Sequence, residues 1–427
     1  MMKRFIAIAL LFACCSISQG ADVRVGTYGY ATDPNPRSMR NLVCTSTTTC
    51  YSFYIDNESA AGHTGYVYRK TTDAGATWGT AVQIQSDSTQ TANDVWYDQW
   101  TPGDTGTLIH MWYFDTANDK VFWRSLDTIS DTLGTERTVF TGASAVAGRG
   151  SFVSGTKARN GHLYVCYDID AGAERGIHRS TDSGTTWSTN LTGSWVEATV
   201  DECMLFPATG TGDNADIWGI YQDASTDELT MKFLDISASS IIESSSMQTC
   251  VENTGDENQR PFAGAVRLSD GHIIVTSFSE LNTSTADLQV WDVSAVNSGS
   301  QTGITAKTNI TTNVAQISWP SVYINSSDKI YVAYTGKRDG TETIGTSTKV
   351  YYTTSTDGGS NWSSGDTAYM QGSGTNTRQT WSSNSGPLFM VQWRQDVASP
   401  NSGNWTNPSN SVATSTGNSN FFPFLMP

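Results

Sequence analysis

The sequence is short of positive charge, with 25 Lys and Arg against 41 Asp and Glu in 427 residues and a formal net charge of −16. A surface with that balance repels nucleic acid and anionic membranes, so we exclude a role in DNA binding. The chain also lacks a CxxC pair and an HExxH motif, which removes support for metal or redox sites of those types. We therefore expect no cofactor and no bound metal.

Long apolar runs are missing after the N-terminus, so we expect no membrane span in the mature protein. Lys3 and Arg4 precede an apolar stretch over residues 5–15, and small residues lead up to Ala21. This pattern predicts a signal peptide over residues 1–20 and a secreted or periplasmic protein. A lipoprotein signal, with Cys14 or Cys15 as the lipidated residue, is the alternative.

Helix-forming residues are sparse over residues 21–400, while Thr, Ser, Gly, Asn and aromatic residues are abundant. This composition is typical of many short strands and turns. Because it is uniform along the chain, it predicts one all-β domain without a linker. Residues 401–420 are rich in Ser, Asn and Thr, and an apolar segment follows them. We predict that residues 401–427 form a C-terminal loop or docking tail, and we expect a monomer.

Five cysteines remain after the predicted signal peptide, so one of them has no partner within the chain if the others pair. Cys44 and Cys50 flank a Ser/Thr turn. That spacing fits a disulfide between adjacent strands in an oxidising compartment, and it fits two buried thiols equally well. The sequence leaves both alternatives open.

One eight-residue pattern occurs three times, in residues 71–78, 180–187 and 355–362, as in Ser180-Thr181-Asp182-Ser183-Gly184-Thr185-Thr186-Trp187. Each copy predicts a turn between two strands. Its Asp accepts hydrogen bonds from backbone N–H groups, its Gly takes a positive φ, and its Trp packs into the sheet. The pattern resembles the Asp-box (BNR) repeat of the sialidase-like β-propellers. In that family the box lies on an outer hairpin away from the site, so the resemblance implies architecture and leaves activity open.

Seven strand-like segments recur along the chain at intervals of 54 to 59 residues, counted on their last residues. They are Cys50–Tyr54, Ile109–Tyr113, Leu163–Tyr167, Ile217–Tyr221, Ile274–Phe278, Ile330–Tyr334 and Phe389–Trp393. Another short strand precedes each one and contains Met39, Trp96, Phe152, Met204, Phe262, Trp319 or Trp381. We predict a single β-propeller of seven four-stranded antiparallel blades, with six blades as the alternative because sialidases are six-bladed. The segment Asp22–Gly26 is predicted to complete the seventh blade and close the ring.

Charged residues gather where the first strand of each unit begins. They are Arg37, Arg40, Asp94, Arg149, Asp201, Glu202, Arg260 and Arg378. Loops at one face of a propeller converge on its channel, where ligand sites form. The planar fork of arginine suits a carboxylate held by two parallel hydrogen bonds, so these positions predict an acidic ligand. The alternative is a solvated rim on which the charges pair with one another.

The first unit, Met39-Arg40-Asn41-Leu42 followed by Tyr54-Ile55-Asp56, is similar to the opening blade of a sialidase, although Asn41-Leu42 replaces the Ile-Pro of that family. The resemblance implies that Arg40 and Arg260 bind a substrate carboxylate and that Asp56 is the acid/base, and the arginines at the strand starts add Arg378 to the carboxylate-binding set. Glu58 and Arg267 are the alternatives to Asp56 and Arg260. Tyr97 and Glu202 are positional candidates for the nucleophilic Tyr–Glu couple, and Arg37 and Asp94 are further candidates for substrate binding.

Two functions of different classes follow, and the expected partner in both is a glycan or polysaccharide. The first is an exo-glycosidase that hydrolyses a terminal acidic sugar. The second is a non-catalytic propeller that binds glycans or a protein, which the missing Ile-Pro and the absence of a motif for the Tyr–Glu couple favour. A polysaccharide lyase is a third alternative, and it depends on His63 because the other four histidines lie in turns or strands.

Overall fold

The structure is a computed structural model of the full chain, and at several strand ends it describes only the backbone. The described residues are 21–27, 37–38, 40–56, 65–86, 90–115, 118–142, 152–168, 175–189, 191, 200–208, 217–223, 228–236, 241–243, 248–249, 262–279, 287–295, 303–310, 318–338, 349–370, 377–395 and 403–414. The predicted signal peptide, Met39, Glu58, His63, Arg149, Cys250 and Arg260 lie outside these ranges. No helix within the described ranges is long and apolar enough to cross a membrane.

Seven small antiparallel sheets form a β-propeller of seven blades, which confirms the predicted fold class and the preferred blade count. The inner strands of blades 1 to 7, which surround the channel, are Leu42–Cys44, Gln90–Tyr97, Phe152–Lys157, Val200–Pro207, Phe262–Val266, Ser318–Ile324 and Thr377–Ser382. The second strands are Cys50–Asp56, Leu108–Asp115, Leu163–Asp168, Ile217–Asp223, Ile273–Ser279, Ile330–Thr335 and Val391–Gln395. Both predicted series of strands therefore correspond to consecutive strands of the blades.

The outer half of each blade is more irregular than the inner half. The third strands are Gly65–Thr71, Lys120–Asp127, Arg175–Ser180, Glu228–Ile236, Asp287–Val293, Val350–Ser355 and Gly403–Thr406. The outer strands are Val82–Gln85 in blade 1, Thr132–Leu133 and Arg137–Thr141 in blade 2, Ile241–Glu243 and Gln248–Thr249 in blade 4, Ile304–Ala306 in blade 5, Thr367–Ala368 in blade 6 and Val23–Thr27 in blade 7. Further short elements are the strands Arg37–Ser38, Leu388–Phe389 and Val412–Ala413 and the 3-10 helices Asp98–Trp100 and Pro408–Asn410.

The ring is closed by the N-terminal strand Val23–Thr27, which pairs with Gly403–Thr406 as the outermost strand of blade 7, as predicted. A glycine is required at position 26, because a Cβ atom there would lie 2.2 Å from the Tyr54 hydroxyl of blade 1. Since blade 7 includes residues 403–406, the propeller extends past residue 400, which we had predicted as its boundary. Residues 403–406 pair on both sides, with Val391–Gln395 and with Val23–Thr27, so a Ser/Asn/Thr-rich composition does not exclude a strand inside a blade.

Aromatic side chains fill the seams between neighbouring blades. Trp112 of blade 2 and Phe206 of blade 4 are fully buried, and each ring lies against a glycine in the inner strand of the next blade. A Cβ atom on Gly155 would lie 2.3 Å from the Trp112 ring, and one on Gly264 would lie 2.7 Å from the Phe206 ring. The glycines therefore allow flat rings to approach the backbone, which gives the seams the close packing of a protein interior.

Cys44 and Cys50 form a disulfide, which settles the alternative that the sequence left open. They face each other directly, at the end of the inner strand and the start of the second strand of blade 1. Cys166 of blade 3 and Cys203 of blade 4 are free thiols and are completely buried.

The three repeated turns (residues 71–78, 180–187 and 355–362) share one hydrogen-bond pattern. In the second copy, Ser180 Oγ accepts from Gly184 N at 2.8 Å, while Asp182 Oδ1 accepts from Thr186 N at 2.8 Å and from Ser180 Oγ at 2.8 Å. The other two copies repeat these contacts. Gly184 has a φ of +86°, as the turn requires. Hydrogen bonds from Thr186 lower the pKa of Asp182 below its ordinary value.

Each repeated turn contacts the preceding blade. Gly75 lies against Met390 of blade 7, Gly184 against Trp123 of blade 2, and Gly359 against Lys307 of blade 5. The third copy also accepts a hydrogen bond from Thr308 N at 3.1 Å. The tryptophans of the three copies are partly buried against the core. The motif therefore stabilises the seams between blades, on the outer side of the ring.

Candidate functional site

The channel has two different ends because all its inner strands run in the same direction. We call the end at which the inner strands begin the top, and the end at which they finish the bottom. Second strands run in the opposite direction and finish at the top. The charged residues that predict a ligand site precede or begin the inner strands and therefore belong to the top.

Within the described part of the chain, the segment Ser383–Gly386, which follows the inner strand of blade 7, bridges the bottom ends of several blades. We call it the plug. Hydrogen-bond donors from blades 1, 5, 6 and 2 bind it, including the backbone N–H groups of Cys44, Val266 and Ile324 and the indole N–H of Trp100. The donor–acceptor distances are 3.2 Å for the three backbone groups and 3.1 Å for the indole. The plug therefore joins the bottom ends of blades 1, 2, 5 and 6 to blade 7.

A small pocket lies above the plug, with room for about one water molecule. It is lined by side chains and backbone from five blades, namely Arg40, Met204, Ala263, Gly264, Ser321, Val322, Trp381, Ser382 and Asn384. Asn384 is 2% exposed, and its Oδ1 accepts from Val266 N, which fixes the orientation of its amide. Its Nδ2 atom is buried and has no hydrogen-bond partner. The floor of the channel thus presents an unused donor.

Arg40 reaches across the channel and forms a buried ion pair with Asp94 of blade 2. Arg40 Nε lies 2.9 Å from Asp94 Oδ1, and Arg40 Nη2 lies 2.5 Å from Asp94 Oδ2. The second carboxylate oxygen also accepts from Ser154 Oγ at 2.8 Å and from Gly155 N at 3.0 Å. The two side chains are 4% and 0% exposed. This is the bidentate geometry that binds an arginine most strongly to a carboxylate.

The remaining contacts of Arg40 join it to two more blades. Its Nη2 donates to the carbonyl oxygen of Gly155 at 2.8 Å, and its Nη1 donates to that of Leu205 at 3.3 Å. The guanidinium carbon also lies 4.7 Å from the centroid of the Trp96 ring. Arg40 and Asp94 thus bind each other and join blades 1 to 4, and Arg40 also lines the pocket above the plug, so their role in substrate binding stays a prediction.

The top of the channel is marked by β-bulges in four of the seven inner strands. Each bulge inserts one extra residue near the start of its strand, between Gln90 and Ala92, Val200 and Glu202, Ser318 and Ser321, or Arg378 and Thr380. The inner strands of blades 1, 3 and 5 pair without such shifts. Bulges redirect side chains and occur often next to functional sites.

Four of the predicted site residues lie at this bulged end, where the structure describes their backbone. Asp201 and Glu202 lie at the bulge of blade 4, and Arg378 lies at that of blade 7. Arg37 pairs in parallel with Ala92, beside the bulge of blade 2. The topology therefore brings these positions to one end of the channel, while the predicted Arg260 precedes the inner strand of blade 5 and lies outside the described residues.

Asp56 also lies at the top, as the last residue of the second strand of blade 1. Its side chain is 1% exposed, and its backbone pairs with Gly65. The neighbouring Tyr66 hydroxyl accepts a hydrogen bond from Asn93 Nδ2 at 3.3 Å. Burial raises the pKa of Tyr66 well above its ordinary value. The role of Asp56 as acid/base stays a prediction.

The predicted couple of Tyr97 and Glu202 is separated along the channel. Asp94 and Leu205 lie at the same level, because both bind Ser154 of the intervening blade. Tyr97 lies three residues below Asp94, and Glu202 lies three residues above Leu205. At about 3.3 Å per residue, the two positions are about 20 Å apart in height. Tyr97 is also 5% exposed and packs edge-on against Trp100. We therefore correct the proposed pairing, since these residues cannot share one proton.

A second cluster of charged residues lies at the bottom of blade 2. Asp98 accepts from His110 Nε2 at 2.9 Å, from Lys157 Nζ at 2.6 Å and from Leu108 N at 2.9 Å. Burial acts to raise the pKa of Asp98, but the hydrogen bonds and the charge of His110 outweigh it and lower that pKa to about 2. Arg267, the alternative to Arg260, also lies at the bottom, where it pairs with Asp270 and Asp292. These groups bind one another and stabilise the bottom of the ring.

Within the described residues, no group of three or more His, Cys, Asp or Glu side chains is arranged to hold a metal ion. Asn384 and Ser321 were not predicted as channel residues. Trp381 was predicted only as part of the short strand that precedes the seventh recurring segment. The run Ser383-Asn384-Ser385-Gly386 is typical of any turn between strands. Nothing in its composition indicates that it crosses the channel, so only the topology reveals the plug.

No family model matches the chain, and no curated protein matches it. Among solved structures it is similar to the hydrazine synthase of Kuenenia stuttgartiensis, with 12% identity, a TM-score of 0.48 and coverage of 91% of this chain and 98% of that chain. It is similar to an alpha-L-arabinofuranosidase of Fusarium graminearum, with 12% identity, a TM-score of 0.47 and coverage of 79% and 97%. For the Trypanosoma rangeli sialidase the identity is 10%, the TM-score is 0.41 and the coverage is 90% and 54%. Likeness at this level concerns the fold and transfers no ligand or reaction.

Proposed function

We propose that this protein is a glycan-binding propeller that takes an acidic sugar at the top of its channel. The observation that carries this proposal is the contrast between a plugged bottom and a top at which four inner strands are bulged. A channel that is bridged at its bottom and has bulged strands at its other end suits a ligand that binds at the top.

The charges at the top support an acidic ligand. The backbone of Arg378 lies at the bulge of blade 7 and that of Arg37 beside the bulge of blade 2, while Arg260 comes shortly before the inner strand of blade 5 in the sequence. Arginines at such positions suit the carboxylate of an acidic sugar. Asp201 and Glu202 supply acceptors for sugar hydroxyl groups at the same end. The overall negative charge of the chain makes a nucleic acid ligand unfavourable.

Binding is better supported than hydrolysis. The resemblance to a sialidase implied a carboxylate-binding role for Arg40, but Arg40 binds Asp94. Tyr97 and Glu202 were the positional candidates for the nucleophilic couple, and they lie far apart along the channel. Without a carboxylate to take its proton, a tyrosine is a poor nucleophile. The described residues therefore support recognition of the sugar more than cleavage of its linkage.

The test is binding of the purified protein to an array of acidic and neutral glycans, followed by calorimetry with the best ligand. We expect acidic glycans to bind and Arg378→Ala to weaken binding at least about tenfold, as the loss of a charge-assisted hydrogen bond requires. Arg267→Ala is the matched control, because Arg267 is bound to Asp270 and Asp292 at the bottom. Equal binding of neutral glycans, together with full binding by Arg378→Ala, would contradict the proposal.

Hydrolysis of a terminal acidic sugar is a second candidate, because Asp56 places a buried carboxylate at the top of blade 1. A carboxyl group in such surroundings suits a general acid. The measurement is release of the fluorophore from a fluorogenic sialoside. Release that is abolished in Asp56→Asn supports the enzyme, whereas glycan binding without release supports the binding protein.

We also propose that the protein is exported, as the N-terminal sequence predicts. The disulfide between Cys44 and Cys50 supports this, because such bonds persist in oxidising compartments and are rare in the cytosol. Fractionation of cells that express the full chain tests it. We expect the protein outside the cytoplasm, with its N-terminus at Ala21.

A further inference from the structure

The side-chain amide of Asn384, in the plug, contains a buried donor that no described residue binds. Asn384 is 2% exposed, and its Oδ1 accepts from Val266 N at 3.2 Å. Because a backbone N–H can only donate, the amide cannot be flipped, and its Nδ2 must lie on the other side. That Nδ2 atom is buried and has no hydrogen-bond partner among the described residues. Buried donors of this kind are nearly always bound by protein or by ordered water.

The pocket above the plug, which Asn384 lines, contains further donors. Arg40 also lines the pocket, and its Nη1 carries two protons. Among the described residues this nitrogen donates only to the carbonyl oxygen of Leu205, at 3.3 Å. Ser321 Oγ accepts from Thr380 Oγ1 at 3.3 Å, which leaves the proton of the Ser321 hydroxyl for another acceptor. Side chains from three parts of the ring therefore offer donors to one small space.

The wall of blade 5 adds an acceptor to this set. In an antiparallel pair, alternate residues direct both backbone groups towards the partner strand or away from it. Val266 N points away from its partner strand, since it donates to Asn384, and the pairing continues without a register shift to Gly264. Gly264 therefore directs its N–H and C=O groups towards the channel, and it lines the same pocket. The pocket thus combines donors with a backbone acceptor.

We propose that the pocket is a binding site for one ordered water molecule, which accepts from Asn384 Nδ2 and donates to the carbonyl oxygen of Gly264. Arg40 Nη1 and the Ser321 hydroxyl are its further partners. The pocket has room for about one water molecule, and a buried water typically makes about three hydrogen bonds. The site is independent of glycan binding at the top of the channel.

The charges around the pocket favour water over an ion. A cation would face the guanidinium of Arg40 and the N–H groups of Asn384. An anion would gain little from Arg40, because the Asp94 carboxylate already balances that charge in a bidentate ion pair. A buried ion without a charged partner is strongly disfavoured. Water has no net charge and both donates and accepts, so it matches the mixed set of groups.

The water would extend the contacts of the plug to the remaining side of the channel. The hydrogen bonds of the plug reach blades 1, 2, 5 and 6. The contacts of Arg40 reach blades 3 and 4, through the carbonyl oxygens of Gly155 and Leu205. A water held by Asn384 and Arg40 therefore connects the plug with two blades to which none of those four bonds extends.

The first experiment is a high-resolution crystal structure of the purified protein without glycan, from crystals in which bromide replaces chloride. We expect one water peak within hydrogen-bond distance of Asn384 Nδ2 and of the Gly264 carbonyl oxygen, without an anomalous signal from bromide. The absence of any peak would overturn the proposal. A bromide peak would also overturn it, because the pocket would then be an anion site. Since no glycan is present, failure of the proposed function would not change this result.

The second experiment counts long-lived buried waters in solution by magnetic relaxation dispersion of the water oxygen. Asn384→Leu has a side chain of similar size without the Nδ2 donor, so we expect the dispersion amplitude to fall by the contribution of one water. Ser321→Ala is the matched control, because it removes a hydroxyl from the same pocket and leaves Asn384 and Gly264 in place. Its amplitude should equal that of the unmodified protein.

An unchanged amplitude in a folded Asn384→Leu variant would contradict the proposal. Loss of one water in Ser321→Ala would also contradict it, because the water would then depend on Ser321 and not on Asn384. If Asn384→Leu does not fold, the crystal structure of the unmodified protein still decides whether the pocket holds a water.

Discussion

The two ends of the channel are built in different ways. At the bottom, the plug and the hairpins between inner and second strands bind one another through the N–H groups of four blades and the ion pairs of Asp98 and Arg267. At the top, four inner strands are bulged and charged residues come at the strand starts. We infer that the bottom of the ring provides stability, and we propose that the top binds a ligand.

The same contrast explains why the repeated turns say little about function. Their Gly and Trp residues contact the preceding blade on the outer side of the ring, on the side of the bottom. A repeated motif recurs because each blade needs the same contact with its neighbour. A ligand site needs different residues from each blade, so it has no repeating pattern.

The largest effect should come from the ion pair that lies between the two ends. Arg40→Ala leaves the Asp94 carboxylate buried without its partner, and we expect a loss of about 3–5 kcal/mol in the free energy of unfolding. Denaturant unfolding measures it. Lys70→Ala is the control, because Lys70 and Asp131 form a surface pair that should contribute no more than about 1 kcal/mol. A loss of less than 1 kcal/mol in Arg40→Ala would show that the pair does not hold the blades together.

The bottom should also determine the response to acid. The pKa of Asp98 is about 2 in the folded protein and 3.8 as its ordinary value, so its stabilising contribution is fully present above pH 4 and disappears as the pH falls through 2. The shift corresponds to about 2 kcal/mol. We expect the free energy of unfolding of Asp98→Asn to change less between pH 4 and pH 2 than that of the unmodified protein. Urea unfolding at each pH measures it. Parallel profiles for the two proteins would disprove this role of Asp98.

A smaller effect is expected at the repeated turns. Ser180→Ala removes a buried hydroxyl that accepts from Gly184 N and donates to Asp182, which should cost about 1 kcal/mol. Thermal unfolding of the variant measures it. The channel lies on the other side of the blade, so glycan binding should not change. A change in affinity at unaltered folding would contradict a ligand site at the top of the channel.

Much of the fold could be predicted because it depends on repeated local rules. The spacing of the aromatic strands and the turn chemistry of Asp182 and Gly184 recur in several blades, and they determine the blade count and the closing strand. The candidate site depends on contacts between blades that are far apart in sequence. Arg40 and Asp94 are 54 residues apart and bind each other, which no local pattern distinguishes from two ligand-binding residues. The plug and the bulges are likewise consequences of ring closure.

The smallest effect on stability is expected at the top, and it is the sharpest test of the comparison. If Arg378 is reserved for a ligand, Arg378→Ala should change the free energy of unfolding by no more than about 0.5 kcal/mol, as is usual for surface positions without special contacts. The same substitution should weaken binding of an acidic glycan at least about tenfold. Unfolding and calorimetry of both variants distinguish the roles of the two residues. Arg40→Ala must lower the free energy of unfolding, and Arg378→Ala must lower the affinity for the glycan. A large loss of stability in Arg378→Ala would mean that the top, like the bottom, is built to hold the ring together.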